Sequence, residues 1–129
     1  MEIQHAAVRV SDLEATKEFY EDGLGLERAW DFHTDDGVHN YYVTGDEFDT
    51  EIQFVHDPEG DDEVTPDGIA HLAVLVDDAD ATLDRLVDRT DCEVLKGPLT
   101  IDAANARAAF VEDPDGYEVE IFHRIESER

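Results

Sequence analysis

Residues 3–16 read IQHAAVRVSDLEAT and residues 69–82 read IAHLAVLVDDADAT. At an offset of 66, eight of the fourteen positions are identical: Ile3/Ile69, His5/His71, Ala7/Ala73, Val8/Val74, Val10/Val76, Asp12/Asp78, Ala15/Ala81 and Thr16/Thr82. The closing stretches match as well, EIQFVH at 51–56 against EVEIFH at 118–123, now at an offset of 67. Gln53 thus corresponds to Glu120, and Glu51 to Glu118. A chain that repeats itself in this way is two copies of one supersecondary unit.

Each copy opens on apolar–polar alternation, which predicts strands near 3–10 and 69–76. A helix follows. In the first copy Ser11 and Glu14 have the S-x-x-E spacing of a capping box, Leu13, Lys17, Tyr20 and Leu24 fall at helical spacing, and Gly23 and Gly25 suit the exit. In the second copy Asp77 or Asp78 can cap, and Ala79, Leu83, Leu86 and Val87 form the apolar stripe. Shorter strands separated by turn residues are expected near 27–33, 38–44 and 50–56, then near 92–96, 106–111 and 117–123. The reading is an α+β fold, βαβββ twice, with a mixed, mainly antiparallel sheet in one domain, 1–129. Repeat one covers 1–57, a polar linker 58–68, repeat two 69–123 and a tail 124–129.

Strand alternation then selects side chains. His5, Ala7 and Arg9 share one face of the first strand, and His71, Ala73 and Leu75 share the matching face in the second copy. In the last strand Val119 and Ile121 take one face while Glu118, Glu120 and Phe122 take the other. The repeat therefore marks His5, Gln53, His71 and Glu120 as equivalent positions on first and last strands. Two imidazoles, an amide oxygen and a carboxylate suit a divalent transition metal acting as a Lewis acid. The competing reading is that each histidine satisfies a backbone group in a half-buried strand. The remaining histidines, His33, His39, His56 and His123, lack such support and are expected at the surface or behind the site.

Composition narrows the class. The chain of 129 residues carries 9 basic and 35 acidic residues, a formal net charge of −26. Such a surface repels nucleic acid and anionic membranes. Disorder is a poor account of it because the apolar residues are periodic. No EF-hand spacing is present. Adaptation to a salt-rich cytoplasm fits best, since salt screens the self-repulsion. The single cysteine, Cys92, excludes an internal disulfide and is expected as a small core residue. MEIQHAAVRV has no basic leader, and no segment reaches the roughly 20 apolar residues of a membrane span, so a cytoplasmic location is expected.

These stretches resemble the vicinal oxygen chelate superfamily, above all its glyoxalase I (lactoylglutathione lyase) branch. The resemblance rests on HAAVRVSDLEATKEFYEDGLGL at 5–26, IQF at 52–54, AHLAVLVDD at 70–78 and AFVEDPDGYEVEIF at 109–122. It implies paired βαβββ units curling into a cup around one divalent ion (nickel, cobalt, zinc or manganese) held by His5, Gln53, His71 and Glu120. It also implies a homodimer, and a reaction on the hemithioacetal of a 2-oxoaldehyde such as methylglyoxal and a thiol. In that chemistry an enediolate forms while a carboxylate, here Glu120, moves a proton between neighbouring carbons.

Two departures bear on substrate and reaction. Gln53 stands where the bacterial enzymes carry a glutamate, and an amide cannot act as a base at neutral pH. The resemblance places Arg9 where a glutathione carboxylate is held, and Asp57 where an asparagine touches the same thiol. A negative Asp57 disfavours an anionic tripeptide, so another small thiol is open. Three alternatives stand beside the lyase. One is a methylmalonyl-CoA epimerase-like enzyme. Another is an extradiol dioxygenase with ferrous iron on His5, His71 and Glu120, drawing on Tyr41, Tyr42, His39 or His56. The third is a non-catalytic small-molecule-binding module.

Overall fold

Residues 1–45, 50–60 and 63–125 are described by the computed structural model. Linker positions 61–62 and tail positions 126–129 lie outside the described residues. The chain divides into two units, Met1–Thr65 and Pro66–Arg129.

The first unit runs β1 (His5–Arg9), α1 (Leu13–Lys17), a π-helical segment (Glu18–Gly23), β2 (Glu27–His33), β3 (His39–Thr44) and β4 (Glu51–His56). Its sheet has the order β1-β4-β3-β2, with β1 parallel to β4 and the other pairs antiparallel. The second unit repeats the plan: β5 (Leu72–Leu75), α2 (Ala79–Arg89), β6 (Glu93–Ile101), a short 3-10 turn, β7 (Ala106–Glu112) and β8 (Glu118–Arg124). Its order is β5-β8-β7-β6, with β5 parallel to β8. The chain thus folds as two four-stranded mixed sheets, the βαβββ plan read from the repeat.

Alternation sorts each sheet into two faces. In the first unit Val8, Phe54 and Val43 are buried beneath the helix, where Tyr20 packs on Phe54 with ring centroids 4.7 Å apart. In the second, Val111, Val119 and Ile121 are buried, and α2 lies against β7 and β8 through Leu83 and Leu86. Burying a side chain of this size contributes about 1.5–3 kcal/mol.

The helices depart from expectation in instructive ways. Asp12, not Ser11, caps α1: its carboxylate accepts from the Ala15 N–H at 3.1 Å. Asp78 does the same for α2, accepting from Ala81 at 3.0 Å. The cap is thus one of the repeated residues, and a carboxylate at a helix N-terminus gains from the unpaired N–H groups there. After Lys17 the helix widens, with Leu24 N–H bonding Phe19 O at 3.0 Å. The wider turn lets the consecutive Phe19 and Tyr20 both bury fully, so the buried face is Leu13, Thr16, Phe19 and Tyr20 rather than a stripe through Lys17 and Leu24. Lys17 instead pairs with Glu14 and lies over the Tyr41 ring. Gly25, at φ 81°, ends the segment by returning its N–H to Glu21 O.

In α2, Val87 is exposed, because the stripe closes on Leu83 and Leu86. Cys92 is half-buried at a strand start and is not a core residue. β6 does not stop at Lys96. It continues to Ile101 across register shifts at Val94/Lys96 and Lys96/Leu99. Gly97 makes this possible. Its φ is 92°, and a Cβ there would lie 2.8 Å from Ala108 O. Among the described residues no helix is long and apolar enough to cross a membrane.

Candidate metal centre

The DPDG turn sets the last strand. The Asp113 carboxylate is buried and accepts from the Asp115 and Tyr117 N–H groups, each at 2.9 Å, which closes the β7–β8 hairpin. β8 then pairs with β7 and β5 at once, so Glu120 sits between Phe110 and Ala73. Its carboxylate Oε1 lies 3.2 Å from His71 Nε2, while the edge of Phe110 closes on the His71 ring at 5.8 Å. The side chain of Glu120 is 16% exposed and that of His71 38%, so the pair opens to solvent on the histidine side.

This pair passes a geometric test for a metal. With bonds of about 2.0–2.2 Å, neighbouring donors of a tetrahedral or octahedral ion lie about 3.0–3.5 Å apart. His71 and Glu120 stand within that range without any movement.

In the first unit the equivalent residues share the face opposite the helix. Ala7 is the register partner of Gln53, so His5 on β1 lies one pleat along from it. Gln53 Nε2 donates to Asn40 Oδ1 at 2.8 Å, which commits the amide nitrogen and leaves the oxygen as the end able to ligate. Asn40 is itself buried. The His5 ring meets Tyr42 edge-on at 5.6 Å. Arg9 stands on the same face of β1, and Asp57 follows β4 in an exposed turn, where its carboxylate accepts from the Glu59 N–H at 2.9 Å.

The structure separates the two adjacent tyrosines. Tyr42 faces His5 and Gln53, whereas Tyr41 points to the helix and donates to Glu21 Oε2 at 2.5 Å. Burial, and then the Glu21 carboxylate, push the Tyr41 phenol far above its ordinary value. Burial, with the Glu51 charge behind it, raises Tyr42. Both stay neutral hydroxyl donors at physiological pH.

The sequence reading missed an aromatic wall. Trp30 stacks on Tyr42 at 4.2 Å with 9° between planes, and Phe32 stacks on Trp30 at 5.3 Å. Trp30 and Phe32 are exposed, and Trp30 Nε1 donates to Glu51. The sign that could have revealed the wall is the W-x-F spacing of Trp30 and Phe32, which puts both rings on one strand face. Two histidines expected at the surface or behind the site also have partners. His123 Nδ1 accepts from the Ala79 N–H at the start of α2, at 2.8 Å. His39 hydrogen-bonds Asp31.

Similarity to known proteins agrees with this architecture. Residues 2–121 match the family model described as the Glyoxalase/Bleomycin resistance protein/Dioxygenase superfamily. The chain is 31% identical over 124 residues to a probable lactoylglutathione lyase of Synechocystis sp., covering 94% of each chain. Among solved structures it is similar to TnmS3, an antibiotic binding protein from Streptomyces sp. CB03234, at 28% identity and TM-score 0.76 over 96% of both chains. Glyoxalase I from Zea mays shares the fold at 23% identity and TM-score 0.83, matching 98% of this chain and 46% of that one.

Proposed function

The chain belongs to the Glyoxalase/Bleomycin resistance protein/Dioxygenase superfamily, and from that premise we propose that it is a metal-dependent lyase of the glyoxalase I type. Its substrate is the hemithioacetal of a 2-oxoaldehyde, such as methylglyoxal, and a small thiol, isomerised through an enediolate in a cytoplasmic homodimer. The His71–Glu120 pair, 3.2 Å apart, with His71 just before β5 and Glu120 on the β8 strand that pairs with it, is the observation that carries the reading. The resemblance of the chain to curated lactoylglutathione lyases supports it.

In this proposal His5, Gln53, His71 and Glu120 are the residues that would hold a divalent ion. The ion supplies Lewis-acid polarisation of the substrate's neighbouring oxygens. Glu120 takes the proton from one carbon and returns it to the next. A half-buried carboxylate beside an imidazole, with Phe110 as a neighbour, suits that task, because water competes poorly for the proton. Gln53 stays neutral and ligates through oxygen, with Asn40 fixing its amide. Arg9 is the proposed contact for a substrate carboxylate, and Asp57 biases the thiol away from strongly anionic ones.

The test is turnover and metal content of protein purified in concentrated potassium chloride. Glu120→Gln is expected to retain the ion and to lose about 10²–10⁴-fold in hemithioacetal isomerisation. His71→Ala is expected to lose the ion held at this centre. Full activity of Glu120→Gln would remove the base. A second reading, a non-catalytic small-molecule-binding module, is favoured by the exposed Trp30–Tyr42–Phe32 stack and by the likeness to an antibiotic binding protein. It predicts tight binding of a flat apolar ligand with no metal on His5, Gln53, His71 and Glu120 and no turnover.

A further inference from the structure

The β2–β3 hairpin carries a second set of metal-capable side chains, on the opposite face of its sheet from His5 and Gln53. His33 and His39 are register partners across the hairpin, and Asp31 pairs with Tyr41 two positions further from the turn, on the same face. His39 Nε2 lies 2.8 Å from Asp31 Oδ2. The imidazoles of His33 and His39 stack at 4.0 Å with 17° between planes. One donor atom from each of the three residues lies within 4.8 Å of the other two.

We propose that Asp31, His33 and His39 form a second divalent-cation site, selective for a transition ion such as zinc, that pins the turn end of the β2–β3 hairpin. Two imidazoles and a carboxylate are the ligand chemistry of borderline ions and a poor match for magnesium or calcium, which want oxygen alone. The 2.8 Å between His39 and Asp31 is already close to the spacing of neighbouring ligands on one ion. The third ligand, His33, is an exposed ring at a strand end whose donor atom lies within 4.8 Å of the other two. Arg28 completes the arrangement by donating from Nε to Asp31 Oδ1 at 2.9 Å, which fixes the carboxylate and leaves Oδ2 as the ligating oxygen. Three protein ligands at an exposed position leave coordination places for water.

The other copy of the repeat supports this. There the corresponding strand pair is Thr100 and Arg107. Arg107 forms a two-pronged ion pair with Asp80, at 2.9 and 3.0 Å, and donates to Thr100. That corner is tied down by a cation on the chain itself. The first unit puts neutral-capable imidazoles at the same strand positions, where an external cation can do the tying.

Equilibrium dialysis of the full chain against zinc chloride, in concentrated potassium chloride to suppress loose carboxylate binding, tests the site. It is run on His71→Ala, so the result does not depend on the proposed lyase centre. One ion per chain is expected in that variant, with its affinity falling at least tenfold when His39→Ala is added and again with His33→Ala. Zinc is also expected to shift the ring resonances of His33 and His39 before those of the other histidines. No ion in His71→Ala, or an ion whose affinity is unchanged by both substitutions, overturns the site. Should His5 and His71 prove not to bind metal at all, the lyase reading fails while this one stands or falls on its own count.

Discussion

The two units share strand order, the register of their inner strand pairs and the capping residue, yet they support their metal-capable residues in different ways. In the second unit the histidine and the carboxylate touch each other directly. In the first, the amide is tied to Asn40 and the histidine leans on Tyr42. The position of Asn40 is filled by Ala108 in the other copy, so no side-chain amide can restrain Glu120 there. Duplication thus kept the positions and let the surroundings diverge. One copy provides a carboxylate with room to move, the other a neutral ligand held still. That asymmetry is what the proposed chemistry asks for, since a single base must both accept and return a proton.

The comparison can be broken first at the core. Phe54 and Ile121 are equivalent, and both are fully buried. Ile121→Ala should cost about 2–5 kcal/mol and Phe54→Ala about 3–5, toward the upper end because Tyr20 stacks on it. Chemical unfolding in concentrated salt measures both. A smaller loss at Phe54 than at Ile121 would mean that the aromatic packing under the first sheet adds nothing.

Asn40→Ala sharpens the contrast at the site. Removing the group that orients Gln53 should weaken metal binding roughly tenfold and leave turnover of the fully loaded protein nearly intact. Competition with a chromophoric chelator reads it out. An unchanged affinity would show that Gln53 is not a ligand.

The smallest effect concerns acid stability. Arg107 hydrogen-bonds Asp80 and holds its carboxyl below the ordinary range. A depressed carboxylate stabilises the fold above its unfolded value, near 3.9, and that contribution is lost as pH falls through the folded value. Asp80→Asn should therefore be slightly less stable than the parent at neutral pH and indistinguishable from it at the acid end. The pair is partly exposed, so concentrated salt should shrink the difference further. A difference that grows toward acid would contradict the ion pair.

Particular residues show why the strands and the central pair were legible while their surroundings were not. Period-two alternation reports a strand without any knowledge of its neighbours, and the repeat lifted His5, His71, Gln53 and Glu120 out of the background. The stacking of Trp30 on Tyr42, and the meeting of His33 with His39, depend on which residues face each other across a hairpin. That register is fixed by the turn at 34–38 and by a shift between Arg28 and Trp30, neither of which alternation encodes. The capping residue was missed for a different reason. Ser11-x-x-Glu14 is a good local match, but the repeated Asp12 outcompetes it. The widened turn after Lys17 follows from burying two neighbouring aromatics, a demand of packing rather than of propensity.

The parallel pairing of first strand with last has a consequence for the order of assembly. In the first unit it joins His5 to Glu51, across nearly the whole unit, whereas β2, β3 and β4 meet through neighbouring hairpins. The hairpins can zip early, and the parallel seam is the slow, entropy-limited closure. Among the described residues no strand of that sheet is drawn from beyond His56. On a ribosome the seam can therefore seal while β5 to β8 are still being made, which ties β1 to β4 before the similar strands β5 and β8 can compete for either.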